Sequence, residues 1–231
     1  MGGNRAKEFI SLYNKIGARR GYSEVWSDLM LVIACSISNT VDATQLEQRF
    51  KRAKNAADKY SDDEQKIFLQ LMGIIRNELS ENPDQDFLGD IYMELGLGKK
   101  SNAQFFTPYN VSKMMAMMSF GNPAEEIKQR GMVTINDSCC GAGAMLIAAA
   151  NICIEQGVDI GRDVLFVAQD IDPLVAMMCY IQLSMLRCAG YVLVGDSLRN
   201  EPVGPENTWL LPSLFRQDWV DLGVMQLKDA A

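Results

Sequence analysis

Three short apolar runs, each stopping at an aspartate, constrain this chain more than any other feature. They are "GMVTIND" ending at Asp137, "DVLFVAQD" ending at Asp170 and "YVLVGD" ending at Asp196. Between them lie two longer apolar stretches, "GAMLIAAANICIEQG" and "DPLVAMMCYIQLSMLRCAG", of helical length. Asp172 is placed to cap the second of these, with Pro173 at its first position. Strands that are apolar on both faces and alternate with helices belong in a parallel sheet covered on both sides. In such a sheet the ligand sits beyond the carboxyl ends of the strands, where the three aspartates fall.

The first strand then turns through Gly141-Ala142-Gly143, where missing side chains let a ligand approach backbone N–H groups. A dinucleotide fingerprint would need glycine or alanine at position 146, and Leu146 stands there. A pyrophosphate would also be repelled by Asp137 directly before the turn. Acids around a glycine turn suit a ligand carrying cations and ribose hydroxyls but no phosphate. S-adenosylmethionine, with its sulfonium, ammonium and ribose diol, fits that description.

The first eighty or so residues read as wholly helical. "AKEFISLYNKIG" has helical spacing and is expected to end at Gly17. "SEVWSDLMLVIACSISN" is a strongly apolar second helix, and "DATQLEQRFKRAKNAADKY" a charged third with Asp42 as its cap. Ser61 and Glu64 stand in capping-box spacing at the head of a fourth. "ENPDQD" at 81–86 breaks the pattern, which divides the chain into a helical region at 1–83 and an α/β region at 84–231. Thr107 before Pro108 predicts a capped helix running to about Phe120, with the methionines at 114–118 on its buried side.

The sequence holds no histidine, which excludes Ser-His-Asp and Cys-His catalysis and histidine-ligated metals. Six cysteines without C-x-x-C spacing read as reduced, buried thiols, and the pattern fits a cytoplasmic protein. No apolar run approaches the length of a membrane span. The net charge of −7 argues against uniform attraction to nucleic acid, yet "ARR" at 18–20, "RFKRAK" at 49–54 and "GKK" at 98–100 are locally basic. Each is either a solvated face or a DNA-facing patch.

Four stretches, in order, resemble the DNA adenine-N6 methyltransferases of type I restriction–modification systems. "NDSCCGAGAML" is similar to the family's D-P-x-C-G-x-G-x-[FL], and "AQDIDPLVAMMCYIQLSMLRCAG" to its acid-containing second segment. "VGDSL" is similar to G-D-[ST]-L, and "DFLGDIYMELGLGKKSNAQFFTP" to D-x-L-G-x-x-Y-E … G-Q-[FY]-[FY]-T-P. The resemblance implies an α/β fold, a partial Rossmann-like methyltransferase sheet preceded by a helical region, with S-adenosylmethionine as cofactor. It further implies that Asp137 and the Gly141–Gly143 backbone hold the methionine moiety, that Asp170 accepts from the ribose, and that Asp196 faces the adenine amino group. Cys139, Ile171 and Ser197 fall beside these acids and are carried over with them. Gln104, Phe105, Phe106 and Thr107 are expected to close the pocket.

One element of the family pattern is missing. The family's [NDS]-P-P-[YF], after the fourth strand, polarises a flipped-out adenine and stacks on it. This chain has no Pro-Pro pair, and neither "EPVGPENTW" nor "LLPSLF" matches. It is also expected to stop short of the family's later strands and target-recognition region. Three readings remain open. The protein binds the cofactor but does not methylate alone; or it is an active methylase whose catalytic loop is replaced or supplied by another chain; or it is an interaction protein with a vestigial pocket. A three-strand half-sheet would leave the first strand's edge bare. The segment "WVDLGVMQLKD", a second copy or a partner subunit is expected to cover it.

Overall fold

A computed structural model of the protein describes residues 3–98, 106–199, 202–216 and 219. The helical region forms from α1 (Gly3–Arg20), α2 (Tyr22–Ser38), α3 (Leu46–Ala57) and α4 (Asp62–Glu81). α1 passes through the stop expected at Gly17 and ends before Gly21, whose φ of 96° is left-handed. Gly17 serves close packing instead: a Cβ there would stand 2.6 Å from the Tyr22 ring. Asp42 caps as expected, but it caps a single 3-10 turn at Ala43–Gln45 that leads into α3. The Ser61–Glu64 capping box is formed at the head of α4.

The strand–helix alternation follows the sequence pattern closely. After α5 (Phe87–Glu94), α6 (Tyr109–Ser119) and α7 (Pro123–Arg130) come β1 (Val133–Asp137), α8 (Ala144–Glu155), β2 (Val164–Asp170), α9 (Pro173–Met185) and β3 (Ala189–Val194). β1 pairs parallel with β2, Val133 opposite Val164, and β2 pairs parallel with β3, Leu165 opposite Ala189. Asp172 accepts from the Leu174 N–H at the head of α9, with Pro173 in the first turn.

Four further expectations need correction. Beside β3 lies a fourth strand, β4 (Thr208–Leu210), antiparallel to it, so the order is β1-β2-β3-β4 rather than a three-strand half-sheet. Three residues are too few to show an alternating pattern in sequence. α6 begins at Tyr109 after Pro108, and no side chain caps it, so Thr107 is not a cap. Nor is the methionine stripe core. Small residues Ser112 and Ala116 face inward, leaving Met114, Met115, Met117 and Met118 between 44% and 81% exposed. Finally, Cys139 is exposed, although the other five cysteines are buried and all six are free.

β1 stands at the sheet edge, with Thr134 and Asn136 exposed, beside a groove of about 500 Å³ formed with Phe120, Pro123, Glu126 and Arg130. Of the C-terminal segment expected to cover this edge, only Trp219 lies within the described residues. It packs against Ala189 and Leu214 and donates its indole N–H to the Gly161 carbonyl at 2.8 Å.

Buried side chains on both sides of residue 83 share one hydrophobic core that runs from Phe9 and Trp26 through Phe87 to Phe166, Tyr180 and Trp209. Trp26 meets Tyr92 at 5.8 Å between ring centroids, and Tyr92 stacks on Phe106 at 5.7 Å. An aromatic chain therefore links the helical region to the strand-end surface. Arg49 ties the other flank. Fully buried, it bonds Ser38, pairs with Asp42 at 2.7 Å, donates to the Thr208 carbonyl at 2.6 Å and lies 4.3 Å over the Trp209 ring. Among the described residues no helix is long and apolar enough to cross a membrane.

Candidate cofactor site

The glycine turn is held by backbone and acid together. Asp137, at the end of β1, accepts from the Cys139 N–H at 3.1 Å. The Cys140 N–H reaches the Gln169 carbonyl at 2.9 Å, and the Gly141 N–H reaches Asp170 Oδ2 at 2.9 Å. The other oxygen of Asp170 accepts from the Asp172 N–H. The acid at the end of β2 thus fastens the loop that follows β1. Gly141 and Gly143 have φ of 54° and 99°, in the left-handed region where side chains are strained. A Cβ on Gly143 would also stand 2.9 Å from Cys179 Sγ. After β3, Asp196 accepts from the Leu198 N–H and pairs with Arg199 at 3.1 Å.

These elements enclose a cavity of about 730 Å³, inside the roughly 300–1,000 Å³ range of small-molecule sites. Asp137, Cys139, Gly141, Asp170, Ile171, Asp196, Ser197, Phe106 and Thr107 all line it. Gly143 lies behind the lining, at the head of α8. Gln104 and Phe105 lie outside the described residues. Of the basic clusters named from sequence, Arg19 and Arg20 pair with Glu64, Arg49 faces the core, and Lys54 pairs with Asp58. Lys99 and Lys100 lie outside the described residues.

Sequence reasoning missed Asp86, Val175, Met145 and Leu198, which also line the cavity. Asp86 carried a usable signal, since it opens "DFLG" and its side chain accepts from the Gly89 N–H three residues on, a helix cap. The apolar residues carried none, because Val175 reads as ordinary helix core.

The lining carries aspartates and, among the described residues, no lysine or arginine. Burial is the main force raising the Asp137 carboxyl, with help from nearby Asp170 and against the Cys139 hydrogen bond. Burial pushes Asp86 up to about 6. Under the turn, Cys179 is held well above its ordinary value, foremost by a hydrogen bond with Cys140 and then by burial.

The N-6 DNA methylase family model matches residues 83–208, more than half of the sequence. The chain belongs to the N-6 DNA methylase family. S-adenosylmethionine is the cofactor this family uses. A crystal structure described as a class I S-adenosylmethionine-dependent methyltransferase of Listeria monocytogenes is similar over 78% of this chain, at 18% identity and a TM-score of 0.39. The chain spans 56% of that protein's length. No curated protein matches it.

The residues present fit the cofactor. The acids suit a sulfonium and an ammonium, the glycine turn has no Cβ to obstruct approach, and Phe106, Ile171, Val175 and Leu198 offer an apolar wall for a purine. The same acids would repel a phosphate.

Proposed function

We propose that this N-6 DNA methylase family member holds S-adenosylmethionine at its strand ends and does not, as a single chain, complete methyl transfer to DNA adenine. The observation that carries the reading is the pairing of an acid-lined cavity with a sequence that lacks any Pro-Pro pair. When bound, the cofactor supplies an electrophilic methyl group on sulfur. The chain's own residues account for the rest of the site. Asp137 and the Gly141–Gly143 backbone would hold the methionine end, Asp170 the ribose hydroxyls and Asp196 the adenine amino group. Phe106, packed on Tyr92 and lying over Gly141, would exclude water from that floor.

What this set does not supply is an acceptor for the N6 hydrogens of a flipped adenine with an aromatic platform beside it. We therefore place that role on a second chain, a partner subunit or another copy, docking along the β1 side of the sheet. Action on DNA in the cytoplasm, within a restriction–modification system, belongs to this same reading.

Calorimetric titration with S-adenosylmethionine is the first test. The unaltered protein is expected to bind one equivalent, and Asp170→Ala to weaken binding at least about tenfold, since the carboxylate would accept hydrogen bonds and also fastens the loop. Absence of heat from the unaltered protein would sink the reading. A tritiated-methyl assay on adenine-containing DNA should then give only background counts. Transfer by the isolated chain would remove the second half of the proposal and leave the first.

A further inference from the structure

We infer that Asp86 is the carboxylate that receives the ammonium of the cofactor's amino-acid tail, and that it makes the site prefer ligands with that tail intact. The inference rests on the reading that the cavity holds S-adenosylmethionine.

Asp86 is 2% exposed, yet it lines the cavity. Its Oδ1 accepts twice, from Gln182 Nε2 at 2.7 Å and from the Gly89 N–H at 3.0 Å. Its Oδ2 accepts no hydrogen bond from any described residue. Capping α5 needs only one oxygen, and serine or asparagine would serve as well. A buried carboxylate with one oxygen unused is costly to maintain, so its presence points to a cationic ligand.

Gln182 fixes where Asp86 itself sits. Its side chain is fully buried, and Nε2 donates both to Asp86 and to the Ala142 carbonyl at 2.9 Å. Its Oε1 accepts from the Leu88 N–H at 3.1 Å. One amide therefore clamps Asp86 against the glycine turn, the floor assigned to the methionine end. The other acids are less free to take the ammonium. Both oxygens of Asp170 accept backbone N–H groups, and Asp196 pairs with Arg199. Asp137 keeps an oxygen but is less buried than Asp86.

Among the described residues, the charged and titratable groups around Asp86 do not neutralise it. Asp90, on the same helix, adds repulsion. Cys179 from α9 feels both Asp86 and Asp137, and Tyr109 from α6 feels Asp86; both of these groups are held up and stay uncharged at neutral pH. Burial leaves Asp86 with a value of about 6, so acidification should protonate it and weaken its hold on a cation.

The test compares three ligands by calorimetry on the full chain. S-adenosylmethionine and S-adenosylhomocysteine carry the amino-acid tail, whereas 5′-methylthioadenosine lacks it. Asp86→Asn keeps an oxygen for Gly89 and Gln182 and removes only the charge. The variant should bind the two tailed ligands at least about tenfold more weakly and bind 5′-methylthioadenosine within about twofold of the unaltered protein. Equal weakening for all three ligands, or none, overturns the inference. Should the variant not fold, the unaltered protein still decides. The ratio of Kd for S-adenosylhomocysteine to that for 5′-methylthioadenosine should rise as pH falls from 7 to 5 through about 6, while the α-ammonium stays protonated. A flat ratio also overturns it. Failure of the unaltered protein to bind S-adenosylmethionine would instead overturn the proposed function.

Discussion

In the helical region, buried acids face cations. Asp42 lies 2.7 Å from Arg49, Glu64 2.8 Å from Arg20, Asp28 3.0 Å from Lys59 and Glu78 3.1 Å from Arg5. At the strand ends, the described partners of Asp86, Asp137 and Asp170 are neutral: backbone N–H groups and the amide of Gln182. The same residue types therefore do different work in two halves of one core. Where the protein supplies the counter-charge, the acid serves the fold. Where it supplies only neutral donors, the acid keeps its capacity for a cationic ligand, and the fold bears the desolvation.

Substitutions can break this contrast, and the largest effect is expected at Arg49. Arg49→Ala leaves Asp42 buried without its counter-charge and frees the Thr208 carbonyl and Trp209 ring. Urea denaturation should show a loss of about 3–5 kcal/mol. Cofactor affinity of the molecules that remain folded should change little, because Arg49 does not line the cavity. A stable Arg49→Ala protein would mean that the ion pairs of the helical region are not what holds it.

Gly143→Ala tests the other half. It forces a side chain into a φ of 99° and 2.9 Å from Cys179 Sγ, at a cost of about 1–3 kcal/mol. Because the turn must shift, cofactor binding by calorimetry should fall more than about tenfold, a larger proportional loss than the one in stability.

Asp137→Asn sharpens the contrast by separating binding from folding. Burial raises this carboxyl above its ordinary 3.8, so its charged form disfavours the native state, and stability declines as pH rises through the window above 3.8. Thermal melts at pH 7 without ligand should therefore show the variant as stable as the unaltered protein or more so. Its affinity for S-adenosylmethionine should drop.

The smallest effect is expected at Glu64, and it runs with the opposite sign. Arg20 first, and the Ser61 N–H after it, lower the Glu64 carboxyl to about 2. The stability this gives is present above 4.5 and is lost as pH falls toward 2. Glu64→Gln should flatten that acid limb of the melting curve, and added salt should shrink the difference.

How much of this was legible in the sequence depended on whether a signal was local. Strand ends at Asp137 and Asp170, the Asp172 cap and the Ser61–Glu64 box are written in neighbouring residues, and all were readable, while β3 stops at Val194, two residues before Asp196. β4 was not, because Thr208–Leu210 is defined by pairing with β3 rather than by its own pattern. The exposed methionines of α6 were misread for a related reason: helical spacing shows that a stripe exists but not which side is covered, and Ser112 and Ala116 decided that. Thr107 had the composition of a cap, but the chain keeps Pro108 out of the helix. The Asp86–Gln182 bond spans ninety-six positions, beyond the reach of any local rule.

That separation also has a consequence in time. Gln182 joins Leu88, Asp86 and Ala142, so the cavity floor is complete only after segments ninety-four, ninety-six and forty residues away have met. Contacts of such range form late in folding, once the entropy of closing long loops has been overcome. A ligand that needs this floor can recognise only the finished molecule, and its binding then acts as a check that α5, the glycine turn and α9 have come together correctly.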